Sequence, residues 1–220
     1  MFKKLVSSAI LVCASLSAPA FANLVYSTGT DVNKDGRDDA MTLGGLAAYL
    51  VTTAPPGWPT VVKTSPTTTA KYISFAANQY PSTTSATATY VYGFQFDWTD
   101  LAGLTTIDFN FLSDDYLTDV TLNGVSLKVT NTGKPTPWGV ATSKTVSAAA
   151  IAGVNKLEFL VNNLGAGASG LAANFTVHGN AATVLTAGQA VVPNQAVPEP
   201  ATFMMVGLGL ALMAGRRRRS

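Results

Sequence analysis

The stretch TTIDFNFLSDDYLTDVTLNGVSLKV, residues 105–129, carries the clearest structural pattern in this chain. Ile107, Phe109 and Phe111 alternate with polar residues, which is the period of a strand with one face buried. Ser113-Asp114-Asp115 then turns the chain. Asn123-Gly124 lies between two further alternating runs and predicts a type I′ hairpin, because both central residues of that turn need a positive φ. The stretch therefore predicts antiparallel strands joined by tight turns.

The same alternation continues on both sides of this stretch. Residues 89–98 place aromatic side chains at every second position, and residues 71–75, 156–163 and 171–177 form shorter runs bounded by Gly, Pro and Asn. Residues 46–52 fit either a strand or a short helix. Since the region is rich in Thr, Val and aromatics and poor in Lys and Glu, we predict an all-β fold, an antiparallel β-sandwich.

Three segments in this order carry a resemblance to a known family: SDDYLTDVTLNGV, AGVNKLEFLVNN and GLAANFTV. The chain resembles the galactose-binding-like jelly roll over about residues 88–178. The resemblance implies two antiparallel sheets with loops at the ends. Members of that family frequently bind glycans, and many carry a structural calcium ion, so the resemblance implies a carbohydrate-binding-like module.

The C-terminal segment has a different character. Val197-Pro198-Glu199-Pro200 is followed by an uncharged run, residues 201–215, and then by Arg216, Arg217, Arg218 and Arg219. A positively charged flank stays on the cytoplasmic side of a membrane, so this run predicts a short transmembrane helix. The run is shorter than the roughly 20 residues that span a bilayer core, although arginine side chains can extend toward the interface.

This order of features resembles the PEP-CTERM sorting signal of Gram-negative bacteria that make exopolysaccharide. The resemblance covers residues 197–219. It implies processing near Pro198-Glu199-Pro200 by exosortase, a membrane cysteine protease-transpeptidase. It also implies transient anchoring in the inner membrane, followed by release to the cell surface or the extracellular matrix.

The N-terminal segment has the pattern of a signal peptide. Lys3 and Lys4 precede an apolar region, residues 5–16, and Ala20-Phe21-Ala22 fits an A-x-A cleavage site, with Ala20 and Ala22 as its small residues. We therefore expect a signal helix in residues 1–22 and a mature chain that begins at Asn23. Cys13 lies inside the apolar region, so we expect the mature chain to contain no thiol.

These features divide the chain into a signal peptide (1–22), a β-sandwich domain (23–180), a polar linker (181–196) and the sorting segment (197–219). The basic residues concentrate in the two terminal segments. Residues 23–196 carry eight cations and eleven acids. That balance leaves no basic patch for nucleic acid, and we expect none as a partner.

The segment DVNKDGRDD, residues 31–39, predicts one of two structures. Asp31, Asn33, Asp35 and Asp39 occupy positions one, three, five and nine of a calcium-binding loop, and Gly36 permits its sharp turn. However, Thr42 stands at position twelve, where a bidentate Glu is expected, and no amphipathic helices flank the loop. The alternative is an ordinary set of Asx turns without a cofactor.

Trp58 and Trp138 lie in loops rich in proline and glycine. An exposed indole offers a flat apolar platform for a sugar ring, so both are candidate ligand-binding residues. A loop tryptophan can instead plug the end of a sandwich.

Carboxylates beside the hairpin suggest a further possibility. Asp114, Asp115 and Asp119 could serve as the acid and base of a glycosidase, but short acids in turns more often accept hydrogen bonds from the local backbone. His178 is the only histidine, and we expect it at the surface. We therefore predict no catalytic residues. We expect a non-catalytic exported protein associated with exopolysaccharide, or alternatively a calcium-stabilised adhesion module with a protein partner.

Overall fold

The structure is a computed structural model that describes residues 23–59, 62–63, 69–79, 87–98, 103–134, 136–165, 167–179 and 181–185. Within those ranges the backbone forms fourteen β-strands and no helix. The strands are β1 (Leu24–Ser27), β2 (Arg37–Leu43), β3 (Leu46–Leu50), β4 (Val62–Lys63), β5 (Thr69–Ala70), β6 (Ile73–Ser74), β7 (Ala88–Trp98), β8 (Gly103–Asp114), β9 (Tyr116–Leu122), β10 (Val125–Ser126), β11 (Thr142–Ala150), β12 (Gly153–Asn163), β13 (Gly170–Val177) and β14 (Ala181–Leu185).

Two predicted helices cannot be compared with these strands. The expected signal helix (1–22) and the expected transmembrane helix in the sorting segment (197–219) lie outside the described residues. In the described part of the chain, no helix is long and apolar enough to cross a membrane.

Twelve strands belong to one antiparallel sheet. Its order is β10-β9-β12-β7-β2-β3-β6-β13-β8-β11, with β1 beside β13 and β14 beside β7, while β4 and β5 pair separately. The β12–β7 and β8–β11 pairs are the longest ladders, at eleven and nine residue pairs. These ladders lie in opposite halves of the sheet.

The two halves of the sheet pack face to face. Phe94 on β7 contacts Phe175 on β13 edge to face, with ring centroids 4.8 Å apart. Phe109 on β8 contacts Phe159 on β12 in the same way at 5.9 Å. Neither pair of strands is adjacent in the sheet, so the sheet folds back on itself around a buried aromatic core. The predicted all-β antiparallel sandwich is confirmed.

Strict alternation located the strands that build this core. On β7, Tyr92, Phe94 and Phe96 are fully buried, and Trp98 is 5% exposed. The hairpin at Asn123-Gly124 is also confirmed, since both residues have positive φ, 53° and 80°. Leu122 and Val125 pair directly across that turn. The ambiguous segment 46–52 contains strand β3 and no helix.

The predicted boundary of the linker is wrong. Residues 181–185, expected to begin a polar linker, form β14 and pair with β7 from Gln95 to Trp98. The reason lies in β2, which pairs with β7 only at Tyr92 and Gly93. The remaining part of that edge of β7 is open, and the Thr-Val-Leu segment that follows β13 pairs with it. The domain therefore extends to Leu185.

Several strand ends meet at one end of the sandwich. Asp114, the last residue of β8, pairs with Gly170, the first residue of β13. Tyr116 at the start of β9 pairs with Asn162 near the end of β12. The turn between β8 and β9 therefore lies beside the glycine-rich connection from β12 to β13.

Candidate functional site

An open cleft of about 330 Å³ lies where these strand ends meet. Its walls are the turn between β8 and β9 and the connection from β12 to β13. The pairing of these strands therefore determines its position. Its lining residues are Asp114, Asp115, Asn163, Leu164, Gly165, Gly167 and Ala168. Asp114 and Asp115 supply both of its charged side chains, and the Leu164 side chain is 57% exposed beside them.

Two hydrogen bonds hold Asp114, one to its side chain and one to its backbone. Its Oδ2 accepts a 2.8 Å hydrogen bond from the indole Nε1 of Trp58. Its carbonyl oxygen accepts a 3.0 Å bond from Ser169 Oγ. Burial, the hydrogen bond to Asp115 and the charge of Asp115 together raise the pKa of Asp114 to about 7, although the indole hydrogen bond lowers it.

Asp115 contacts the β12–β13 connection. Its Oδ2 accepts a 2.7 Å hydrogen bond from the backbone N–H of Leu164, which fixes the β12–β13 connection against the turn. Neighbouring carboxyls that share a hydrogen bond lie too close to bracket a glycosidic bond, which requires a separation of about 5 to 9.5 Å. The arrangement is suited to accepting hydrogen bonds from a ligand.

Trp58 forms the floor behind Asp114. Its side chain is only 6% exposed, and its ring stacks on Tyr72 with centroids 4.0 Å apart. Gly170 makes this packing possible, because a Cβ there would lie 2.6 Å from Trp58 Cη2. Trp58 thus has the contacts of an end plug, with a polar tip that positions a cleft residue.

Trp138 lies beside this floor and is half-buried. Its carbonyl oxygen accepts a 2.6 Å bond from Tyr72 Oη, and its Nε1 lies 3.6 Å from the Cβ position of Gly57. The structure brings the two tryptophans to the same end of the sandwich as Asp114. Of the two, Trp138 is the more exposed.

The loop 31–39 is ordered by its own side chains. Asp31 accepts backbone bonds from Asp35 (3.1 Å) and Gly36 (3.1 Å), and Asn33 Oδ1 accepts a second bond from the Asp35 N–H at 3.0 Å. Asp39 lies in β2 and accepts from the N–H of Val32 at 2.8 Å. The Asn33 bond is that of an Asx turn, whereas Asp31 and Asp39 accept from N–H groups four to seven residues away. Among the described residues, no three His, Cys, Asp or Glu side chains converge as metal ligands.

Asp38, which lies within this segment, has an importance that sequence reasoning missed. It is buried and accepts bonds from Tyr26 Oη and from the backbone N–H groups of Gly29 (2.6 Å), Ala40 (3.0 Å) and Met41 (2.7 Å). Burial raises the pKa of Asp38, and these donors offset part of that effect. Its side-chain partner Tyr26 lies on β1, twelve residues earlier in the sequence, so no local pattern reveals it.

A second hollow of about 430 Å³ lies between β1, β2 and β14. It is lined largely by backbone and aliphatic groups of Val25, Ala40 and Val184, with Asp39 as its charged residue. The Asp114 cleft concentrates more polar groups and is the better candidate.

His178 is partly exposed, as expected, with its Nε2 2.7 Å from Asp108 Oδ2. The strand before it, β13, is an internal strand between β6 and β8. Thr145 Oγ1 donates to the other oxygen of Asp108 at 2.6 Å, so this hydroxyl bonds to the carboxylate and not, as a nucleophile would, to the histidine.

The sorting segment is identified by comparison. Residues 196–219 match the PEP-CTERM protein-sorting motif, which confirms the predicted resemblance. The motif indicates export and anchoring at the C-terminus before sorting. No curated protein matches the chain in sequence.

Solved structures similar to the domain include family 35 carbohydrate-binding modules. The module from Paenibacillus barcinonensis is 20% identical, with a TM-score of 0.39, over 70% of this chain and 97% of its own. The module from Cellvibrio japonicus is 14% identical, with a TM-score of 0.40, over 77% and 100%. A mannanase from Podospora anserina that contains such a module is 16% identical, with a TM-score of 0.38, over 80% of this chain and 30% of the enzyme.

Proposed function

We propose that this chain is an exported, non-catalytic glycan-binding protein that exosortase sorts to the exopolysaccharide matrix. The observation that carries the proposal is the sorting motif at residues 196–219, which marks the chain for export and C-terminal anchoring. A protein delivered to a polysaccharide-rich surface needs a means of staying there. The β-sandwich offers the Asp114 cleft for that purpose.

The cleft supports glycan binding through its mixture of groups. The two carboxyls accept hydrogen bonds from sugar hydroxyls, while the exposed Leu164 side chain offers an apolar surface to the C–H face of a pyranose. The Trp58 indole holds Asp114 in place, so the acceptor is preorganised before the ligand arrives. The partly buried Trp138 lies at the same end as a further candidate contact.

Binding of the purified protein to a panel of bacterial exopolysaccharides, including that of the producing cell, tests this proposal. We expect Asp115→Ala to weaken binding at least tenfold. Asp119→Ala is the matched control, since Asp119 accepts a bond from its neighbour Val120 outside the cleft. Binding to no polysaccharide, or equal binding by wild type and Asp115→Ala, would contradict the proposal.

The same panel of exopolysaccharides also tests for catalysis. Turnover of any polysaccharide that disappears in Asp114→Asn would show a glycosidase or lyase and overturn the non-catalytic assignment. The shared hydrogen bond between the two carboxyls is the reason we expect no turnover.

A second candidate function is a calcium-stabilised adhesion module. The supporting observation is that Asp31 Oδ1 and Asn33 Oδ1 accept from one N–H, that of Asp35, which holds two oxygen ligands close together. Saturating Ca²⁺ would then stabilise the domain by about 2–3 kcal/mol and raise its Tm by several degrees. The Asp35→Ala variant would show no rise, and an identical Tm for wild type in Ca²⁺ and in EDTA would exclude this function.

A further inference from the structure

Among the described residues, strand β11 ends one side of the sheet. It pairs with β8 along all nine of its residues, Thr142–Ala150, without a register shift, and with no other strand in that part of the chain. The strand at the opposite end of the sheet, β10, has only two residues. β11 is therefore the long edge of this domain.

The pairing shows which backbone groups of β11 face outward. His178 N–H donates to the carbonyl of Thr106, so the polar backbone groups of Thr106 point toward β13. The next residue, Ile107, then points toward β11 and bonds with its partner Val146. By alternation, the outward N–H and C=O groups on β11 belong to Ser143, Thr145, Ser147 and Ala149.

This edge lacks the usual protection against pairing. Natural edges carry prolines, bulges or several charges, whereas β11 has neither a proline nor a bulge. Lys144 is its one charged residue. An unpaired ladder of this length is a ready template for a further strand.

We propose that β11 pairs antiparallel with β11 of a second copy of this chain, about a twofold axis at Val146. This register sets Thr145 opposite Ser147 of the second copy and Ser143 opposite Ala149. All the outward groups are then satisfied, by about eight main-chain hydrogen bonds.

Charge and apolar surface both fit this partner. Lys144 lies opposite Ala148 of the second copy, so the two lysines do not face each other. Ile151 and Val140, just beyond the two ends of β11, are 50% and 57% exposed. The register brings Ile151 of one copy beside the Val140-Ala141 segment of the other at both ends of the interface. The sequence of this edge is thus self-complementary, which favours a second copy over an unrelated extended peptide.

Substitution of one outward N–H tests the dimer. The mass of the full chain in density-matched detergent, measured by sedimentation equilibrium, is expected to be that of a dimer. Ser147→Pro removes an N–H that faces the second copy and should weaken dimerisation at least tenfold. The monomer should still fold, because proline is tolerated at an edge where the N–H faces outward. Ser147→Ala keeps the N–H and should remain dimeric. A monomeric wild type, or a Ser147→Pro variant as dimeric as wild type, would overturn the proposal.

A crosslink tests the register even if the proline variant fails to fold. In a Cys13→Ser background, Val146→Cys places two cysteines on the axis in a non-hydrogen-bonded pair, with Cα atoms about 4.5 Å apart, a separation that a disulfide spans. We expect a covalent dimer on oxidation. Ser143→Cys, which faces Ala149 of the second copy, should give none. Equal crosslinking at both positions, or none at Val146, would contradict the register.

Discussion

Asp114 joins the fold and the site through one side chain. Its carboxyl accepts from Trp58, a residue of the core cluster at this end of the sandwich, and is hydrogen-bonded to Asp115, a residue of the cleft. Asp38 is the other buried acid, and its hydrogen bonds join β1 to the start of β2. At the residue scale the domain therefore depends on two carboxyls that each join a residue distant in sequence, Trp58 for Asp114 and Tyr26 for Asp38.

Asp114→Asn should flatten the pH dependence of stability. Because the folded pKa is raised to about 7 from an ordinary 3.8, the folded chain keeps a proton that the unfolded chain loses, so stability falls as pH rises between about 4 and 7. The loss is at most a few kcal/mol. Denaturant titrations at pH 4.5, 6 and 8 measure it. Identical pH profiles for wild type and variant would contradict this assignment.

Asp38→Ala should destabilise the domain by about 3–5 kcal/mol, since it leaves a buried hydroxyl and three N–H groups without their acceptor. Asp39→Ala is the matched control, because that half-buried neighbour accepts one exposed bond and should cost less than about 1 kcal/mol. Urea unfolding of both variants gives the comparison. A smaller loss for Asp38→Ala than for Asp39→Ala would show that the buried acid does not hold β1 to β2.

At the scale of elements, local pattern predicted the strands whose alternation is strict. β7, β12 and the β9–β10 hairpin follow from apolar residues at every second position and from Asn123-Gly124. β2 was not predicted, because Asp38 and Asp39 disfavour a strand until Tyr26 and the β1–β2 loop supply donors. The sequence predicts a linker where β14 forms, since only the open edge of β7 gives this strand a partner.

The cleft was predicted only in part, for the same reason. The turn at Asp114-Asp115 is visible in the sequence, but its partners Trp58 and Leu164 lie 56 and 49 residues away. The loop position of Trp58 is likewise visible, whereas its burial depends on Tyr72 and Gly170. Local signals predict elements, and the contacts between elements build the site.

Gly170→Ala tests the packing between β13 and the Trp58 floor. A Cβ would lie 2.6 Å and 2.9 Å from two ring carbons of Trp58 and 3.1 Å from Tyr72, so the stacked rings must move. We expect a loss of about 1–3 kcal/mol in thermal unfolding. Gly165→Ala, with nothing within 4 Å of its added Cβ, serves as the control and should change stability by less than about 1 kcal/mol. Equal stability of the two variants would contradict the described packing.

At the scale of the whole molecule, the chain combines a strand-built domain with a segment that directs its sorting. Residues 196–219 match the sorting motif, while the described strands end at Leu185. The sorting motif and the folded domain therefore occupy separate parts of the sequence. Changes in the sorting segment should therefore alter location without altering the domain.

Glu199→Gln, or replacement of the four arginines 216–219 by alanine, should leave the protein unprocessed. We expect the first variant to be retained in the membrane and the second to lose its cytoplasmic anchor. Fractionation followed by immunoblotting detects both outcomes, and Gln195→Ala, just outside the motif, is the control. Unchanged location and mass in both variants would contradict exosortase sorting.

Intact-mass analysis of the protein recovered from the extracellular matrix tests the central claim most directly. We predict a chain that begins at Asn23 and ends near Pro198-Glu199-Pro200, with the domain intact between these points. Recovery of the full 220-residue chain, unprocessed and dissolved in the cytosol, would contradict the account.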